Sequence, residues 1–244
     1  MDDGDSPERR PPRGLASRDA PSSSRRYSLF VGVAFVALVI FALVNSLSSD
    51  EGGLLGTDSA ANGAPVPPFS VPIALGSLTG DANVFQDDCD SSRNPCPEGD
   101  RRTPACEVEG DEVIRVCDLF DRPLAISFWF TRGGDCLPSQ DAFDEIAERY
   151  GDRVNFLSIN VRDEREEVRE IVEERGWEVP VGYDADGAVA NLYRVGGCPT
   201  AALAFPGGIL AGGVVGEQNF TTKALAKRLD ELIAESRRRA DTDR

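Results

Sequence analysis

The sequence predicts an α/β domain, a central mixed β-sheet flanked by helices, preceded by one transmembrane helix. Three observations predict it. Residues 124–130 (LAISFWF) form a nearly continuous apolar run, as a strand buried on both faces requires. A helical stripe follows at once, formed by Ala142, Phe143, Ile146, Ala147 and Tyr150. Upstream, residues 29–44 (LFVGVAFVALVIFALV) run for 16 positions without a charge.

That upstream run reaches 21 residues when extended from Tyr27 to Leu47. At about 1.5 Å per residue it makes roughly 31 Å of helix, the thickness of a bilayer core. Arg13, Arg18, Arg25 and Arg26 precede it and no Lys or Arg follows until Arg93. The excess of positive charge holds the N-terminus in the cytoplasm. Residues 1–26 are then a cytoplasmic disordered tail, 27–47 a single-pass span in the cell membrane, and everything beyond about residue 50 extracytoplasmic. A cleaved signal peptide is the alternative, but the apolar run slightly exceeds the usual h-region and its leading tail is long. Residues 48–62, rich in Gly, Ser, Ala and acid, read as a flexible linker.

The folded domain spans 63–236, with 237–244 a disordered tail. Residues 85–105 are polar and Pro-containing, too poor in apolar side chains to build a core, and read as an inserted surface loop. Residues 112–119 alternate as a strand, and 154–161 (VNFLSINV) form the strand after the first helix. Asp163 with Glu166 resembles a capping box opening a second helix, which Gly176 closes. A right-handed β-α-β crossover results. A strand over 179–183 and a short helix over 188–193 lead to Gly196-Gly197-Cys198-Pro199-Thr200. Strands 201–205 and 209–215 flank Pro206-Gly207-Gly208 as a hairpin. A last helix over 221–237 points Leu225, Leu229, Leu232 and Ile233 inward. The order is β-β-α-β-α-β-α-β-β-α.

Composition narrows the chemistry. The 244 residues carry 26 Lys and Arg against 42 Asp and Glu, a net charge of −16. Such a chain is repelled by phosphate backbones, so no nucleic-acid partner is expected. There is no histidine. Ser-His-Asp and Cys-His catalysis, His-ligated metals and haem attachment through C-x-x-C-H are excluded, and the remaining chemistry rests on cysteine or carboxylate. All six cysteines lie on the exported side, where disulfides persist. Six cysteines permit 15 pairings. Cys106 and Cys117 flank a hairpin-like EVEGDEVIRV and can face one another; Cys89 and Cys96 can staple the inserted loop. These four read as structural disulfides, because their spacing lacks the close C-x(2–4)-C pairs of zinc ribbons. No metal and no cofactor are expected.

The element order, together with FWFT at 128–131, the spacing to Cys136 and YRVGGCPT at 193–200, resembles the thioredoxin-like fold. More closely, the chain is similar to the redoxin superfamily, both the membrane-tethered thiol-disulfide oxidoreductases of cytochrome c maturation and the alkyl hydroperoxide reductase/thiol-specific antioxidant branch. The likeness covers about residues 63–236. It implies a cis proline beside the active-site cysteines, at Pro199. The tethered members carry Trp-Cys-x-x-Cys after Phe-Trp-x-Thr; here the stretch is Thr131-Arg132-Gly133-Gly134-Asp135-Cys136. Arg132 holds the tryptophan's place, Gly133 that of the attacking cysteine, and Ser139 that of an acidic residue often found three positions after the second cysteine.

The resemblance makes the loops of Cys136 and Cys198 face each other, so the two form a dithiol from distant positions. This pair is the candidate redox centre. A helix start at Cys136 favours its thiolate, the adjacent Asp135 opposes that and Arg132 can offset it, so the sequence leaves the sign of the net shift open. Pro199, Thr200, Arg132 and Trp129 are the candidate substrate-binding residues, although Trp129 and Phe128 also suit a strand core. The partner implied is a cysteine-containing exported protein or a membrane redox partner. Rival readings are a permanent Cys136–Cys198 brace, a one-cysteine peroxidase using Cys136, and a catalytically silent binding or assembly module.

Overall fold

The computed structural model describes residues 63–80, 82, 103–134 and 136–242, with the isolated positions 32–33, 35–36, 90–91 and 94–95. The tail 1–26, nearly all of the span 27–47, the linker 48–62, most of the loop 85–105, and Cys89, Cys96 and Asp135 lie outside the described residues. Among the described residues no helix is long and apolar enough to cross a membrane. The chain divides into two units, Met1–Ser49 and Asp50–Arg244, and the second holds the fold.

Its strands are β1 (Ser70–Pro72), β2 (Asp90–Ser91), β3 (Asn94–Pro95), β4 (Val113–Arg115), β5 (Leu124–Trp129), β6 (Asn155–Val161), β7 (Val181–Asp184), β8 (Thr200–Phe205) and β9 (Ile209–Val215). Its helices are α1 (Leu137–Tyr150), α2 (Arg165–Arg175), α3 (Ala188–Leu192) and α4 (Thr222–Thr242). Five strands form one sheet in the order β7-β6-β5-β8-β9. β5 is parallel to β6 and β6 to β7, whereas β5–β8 and β8–β9 are antiparallel, so the sheet is mixed.

The two-residue period of β5 divides its side chains between opposite faces. Leu124, Ile126 and Phe128 join Leu157 and Ile159 of β6 in one apolar cluster. Ala125 joins Phe143, Ile146 and Tyr150 of α1 and Leu225, Leu229, Leu232 and Ile233 of α4 in another. Both faces of β5 are buried along its whole length, which accounts for the unbroken apolar run in the sequence. At the edge, β1 crosses close to β7. A Cβ on Gly182 would stand 2.4 Å from Val71 Cγ2, so this approach requires glycine.

Three expectations need correction. The strand over 112–119 shrinks to β4, which pairs with β1 in a separate two-stranded ladder. The rest tightens into a 3₁₀ turn, Val116–Leu119. Arg115 Nε donates to Asp118 at 2.7 Å within that turn and Cys117 is bonded to Cys106, contacts that a continuous extended strand would not offer together. The last helix runs to Thr242, so 237–242 is no disordered tail. Glu235 pairs with Arg238 and Arg239 one turn on, and the Arg239 guanidinium lies 4.0 Å from the Phe205 ring centroid. Finally, α2 starts at Arg165 behind Glu164 with no side-chain cap, so Asp163 does not form the expected capping box. Gly176 does close α2, in the left-handed conformation at φ 66°.

Candidate active site

Cys136 is the residue immediately before α1, and Pro138 occupies the helix's first turn. A proline is tolerated there because the first amides lack partners within the helix. Cys198 lies in the loop between α3 and β8, and the Cys198–Pro199 peptide is cis, as the family resemblance implied. The two cysteines, 62 residues apart, are joined by a disulfide with a Cα–Cα separation of 5.8 Å.

The two sulfurs meet different surroundings. Cys136 is 2% exposed and packs in a cluster with Ala74, Trp129, Val168, Val172, Trp177 and Val181. Cys198 is only half-buried against that cluster. Above them, Gly133 and Gly134 are exposed. A Cβ on Gly134 would lie 3.7 Å from Cys136 Sγ and 3.8 Å from Cys198 Sγ, so a side chain here would touch both sulfurs and glycine leaves them without that cover. Gly133, in the place of the missing cysteine, has φ 94° and open space around its Cβ position.

The loop from β5 to Cys136 is fastened by Asp163. Its carboxylate, 3% exposed, accepts from the Thr131 N–H at 2.7 Å, the Thr131 hydroxyl at 2.8 Å and Asn160 Nδ2 at 2.8 Å. Arg162, just before it, adopts a left-handed φ of 62°, turning the chain after β6. Such a conformation costs a non-glycine residue about 1–2 kcal/mol, which the three hydrogen bonds on Asp163 offset. Ser127 Oγ donates to Gln140 Oε1 at 2.8 Å and ties β5 to α1 directly beneath the site.

The candidate substrate-binding residues divide. Arg132 is exposed, with Glu164 at 3.5 Å. Pro199 is buried beneath Cys198, and its carbonyl accepts from the Gly216 N–H at 3.1 Å. Thr200 is fully buried, its hydroxyl donating to the Gly197 carbonyl at 2.7 Å. Trp129 is 1% exposed and stacks edge-on against Trp177 with centroids 5.1 Å apart. The indole N–H of Trp177 donates to Asp141, while Trp129 Nε1 has no hydrogen-bond partner among the described residues. Trp129 and Thr200 therefore line the back of the site rather than its surface.

A cleft of about 390 Å³ opens beside the two loops, lined by Phe130, Arg132, Arg162, Asn191, Val195 and Gly196. A larger groove of about 590 Å³ lies between α4 and the β8–β9 hairpin. It reaches Phe205 at the far end of β8, five residues and roughly 17 Å of strand from Thr200, and among the described residues no cysteine lines it.

The second disulfide, Cys106–Cys117, has a Cα–Cα separation of 5.7 Å and spans 11 residues. It joins the 3₁₀ turns Ala105–Glu107 and Val116–Leu119, with Cys106 exposed. The one-cysteine peroxidase reading calls for a free, reachable Cys136, whereas here that residue is bonded and buried. Sequence reasoning missed Asp163 as the brace of the active-site loop and Trp177 as the partner of Trp129. Both contacts join segments more than 30 residues apart, and no local pattern announces them.

No family model matches the chain. The thiol-disulfide oxidoreductase ResA of Oceanobacillus iheyensis is 23% identical over 103 residues, 42% of this chain and 54% of that protein. The match thus spans about half of the relative's length. Among solved structures, a candidate thiol:disulfide interchange protein DsbE from Chlorobium tepidum superposes with a TM-score of 0.50 at 16% identity, covering 70% of this chain and 97% of that one. An uncharacterized conserved protein from Geobacillus kaustophilus gives a TM-score of 0.52 at 17% identity, over 71% and 82% of the two chains. At these identities the solved structures speak for the fold alone. With the β7-β6-β5-β8-β9 sheet and the placement of α1 after β5, the chain has the thioredoxin-like fold.

Proposed function

We propose that this chain is a membrane-anchored thiol-disulfide oxidoreductase whose redox centre is the Cys136–Cys198 pair. The anchor is the apolar stretch 27–47, the N-terminus is cytoplasmic and the domain from residue 63 onward is extracytoplasmic. The supporting observation is the bond between Cys136, at the head of α1, and Cys198, beside Pro199. Disulfide exchange needs a thiolate that leaves readily and a second sulfur close enough to resolve the mixed disulfide. The amides at a helix start favour the thiolate form of Cys136, and the Cys198 loop supplies the second sulfur.

The partner is a cysteine-containing exported protein or a membrane redox protein. An extended segment of it would lie along the Cys198–Pro199 backbone, pairing main chain to main chain. The bare Gly133-Gly134 turn leaves room for that segment above the disulfide. ResA-like and DsbE-like relatives are thiol-disulfide proteins by name, in keeping with this reading.

The test is turnover by the full-length chain in the dithiothreitol-driven reduction of insulin. The wild type accelerates it, and the Cys136→Ser/Cys198→Ser double variant falls to the uncatalysed rate, a loss of about a hundredfold or more. Equal rates from the two proteins contradict the proposal. Pelleting with membranes, lost when residues 1–47 are removed, checks the anchor.

A further inference from the structure

We infer, resting on the redox reading above, that Cys198 is the sulfur that enters the mixed disulfide with substrate, and that Cys136 is the one that leaves when a thiol is oxidised and the one that resolves the mixed disulfide when a disulfide is reduced. Cys136 heads a helix, which taken alone would make it the attacking sulfur. The surroundings of the two sulfurs reverse that order.

Access comes first. Cys136 is 2% exposed beneath Trp129, Trp177 and the apolar side chains of α2 and β7. Cys198 is half-buried, in a loop whose neighbouring Gly196 is exposed. A thiolate arriving over Gly133 and Gly134 meets no side chain from either of these residues. Gly133, the place that the resemblance gives to an attacking cysteine, is exposed and carries no sulfur, and Cys136 is bonded to Cys198. The role of the reachable sulfur has thus moved from the head of α1 to the loop before Pro199.

The leaving group agrees with access. Attack on one sulfur of a disulfide expels the other as thiolate, and the better-stabilised thiolate leaves faster. Cys136 stands at the start of the 14-residue α1, where unpaired amides face a departing negative charge and work against the desolvation that its apolar surroundings impose. Attack on Cys198 places the charge there; attack on Cys136 would place it on Cys198, which heads no helix.

A substrate thiolate attacks Cys198 Sγ, the Cys136–Cys198 bond breaks and Cys136 leaves as a thiolate. A second substrate thiolate attacks the substrate sulfur of the mixed disulfide, and Cys198 leaves in turn. The substrate dithiol loses two electrons and two protons and becomes a disulfide, while the Cys136–Cys198 pair becomes a dithiol. In the opposite direction, the Cys198 thiolate attacks a substrate disulfide and Cys136 resolves the same intermediate.

Two measurements on the full-length wild type test the order. The oxidised protein is mixed with reduced glutathione as a monothiol probe, quenched in acid and peptide-mapped. The glutathione adduct is expected on Cys198. The reduced protein is then pulsed with iodoacetamide, and Cys198 is expected to be labelled roughly tenfold or more faster than Cys136. An adduct on Cys136, or equal labelling of the two, overturns the order while leaving the redox couple standing. A pair that stays bonded and yields no adduct at any glutathione concentration overturns the order and the redox reading together. Gly134→Val gives a further check: its side chain would cover the bond, and adduct formation should slow severalfold with the midpoint potential unchanged. An unaltered rate in that variant contradicts the proposed approach path.

Discussion

The two described disulfides are nearly alike in Cα separation, 5.7 and 5.8 Å, and unlike in everything around them. Cys106–Cys117 closes 11 residues between two 3₁₀ turns, outside the main sheet, with one sulfur-bearing residue exposed. Cys136–Cys198 closes 62 residues and joins the start of α1 to the loop before β8, with one residue buried and the other half-buried under a glycine turn. A local clip holds a turn that its own backbone already favours. A bond between distant loops joins elements that the sheet also holds together, because β5 and β8 are paired along five residues whether or not it exists. The sulfur pair can therefore open without dismantling the fold, and the contrast assigns chemistry to this bridge and a local structural role to the other.

That contrast can be broken by deletion. In the chain-entropy account, closing 62 residues stabilises by about 4 kcal/mol and closing 11 by about 3 kcal/mol. If entropy alone acted, the Cys136→Ser/Cys198→Ser variant would be the less stable by about 1 kcal/mol, and that is the largest expected cost, read by urea unfolding. The Cys106→Ser/Cys117→Ser variant should lose about 3 kcal/mol and keep its insulin-reduction rate within about twofold. A clip variant that loses turnover as the other does would erase the distinction between the two bridges.

A smaller effect sharpens it. Asp163→Asn replaces one acceptor oxygen with a donor facing Thr131 or Asn160, at a cost of about 1–3 kcal/mol. Since Asp163 holds the loop that leads to Cys136, dithiothreitol should reduce Cys136–Cys198 faster in this variant and Cys106–Cys117 at the wild-type rate. Acceleration of both bonds, or of neither, would contradict its role as a brace.

Much of this architecture is legible in the sequence because it rests on period. The run 124–130, the stripe through Phe143, Ile146 and Tyr150, the hairpin around Pro206-Gly207-Gly208 and the inward leucines of α4 are each local patterns with one compatible geometry. β1 is three residues long and includes Pro72, too short to show alternation. The capping reading of Asp163 failed because the same carboxylate satisfies a cap and a loop brace equally well, and a partner 32 residues away at Thr131 decided between them. The pairing of Cys136 with Cys198 was legible only through the family likeness, which brings two loops together that spacing keeps apart. The unequal burial of those sulfurs was not legible at all, since it depends on Trp129, Trp177 and α2 closing over one of them.

The most direct test is a redox titration of the full-length chain in glutathione buffers, with peptide mapping of each bond. Trp129 and Trp177 are the only tryptophans and Trp129 packs in one cluster with Cys136, so their emission follows the same transition. The account predicts that Cys136–Cys198 opens with a midpoint between about −120 and −270 mV, the span of working dithiol oxidoreductases, while Cys106–Cys117 stays closed. A Cys136–Cys198 bond still closed below about −300 mV, as structural disulfides are, would contradict it.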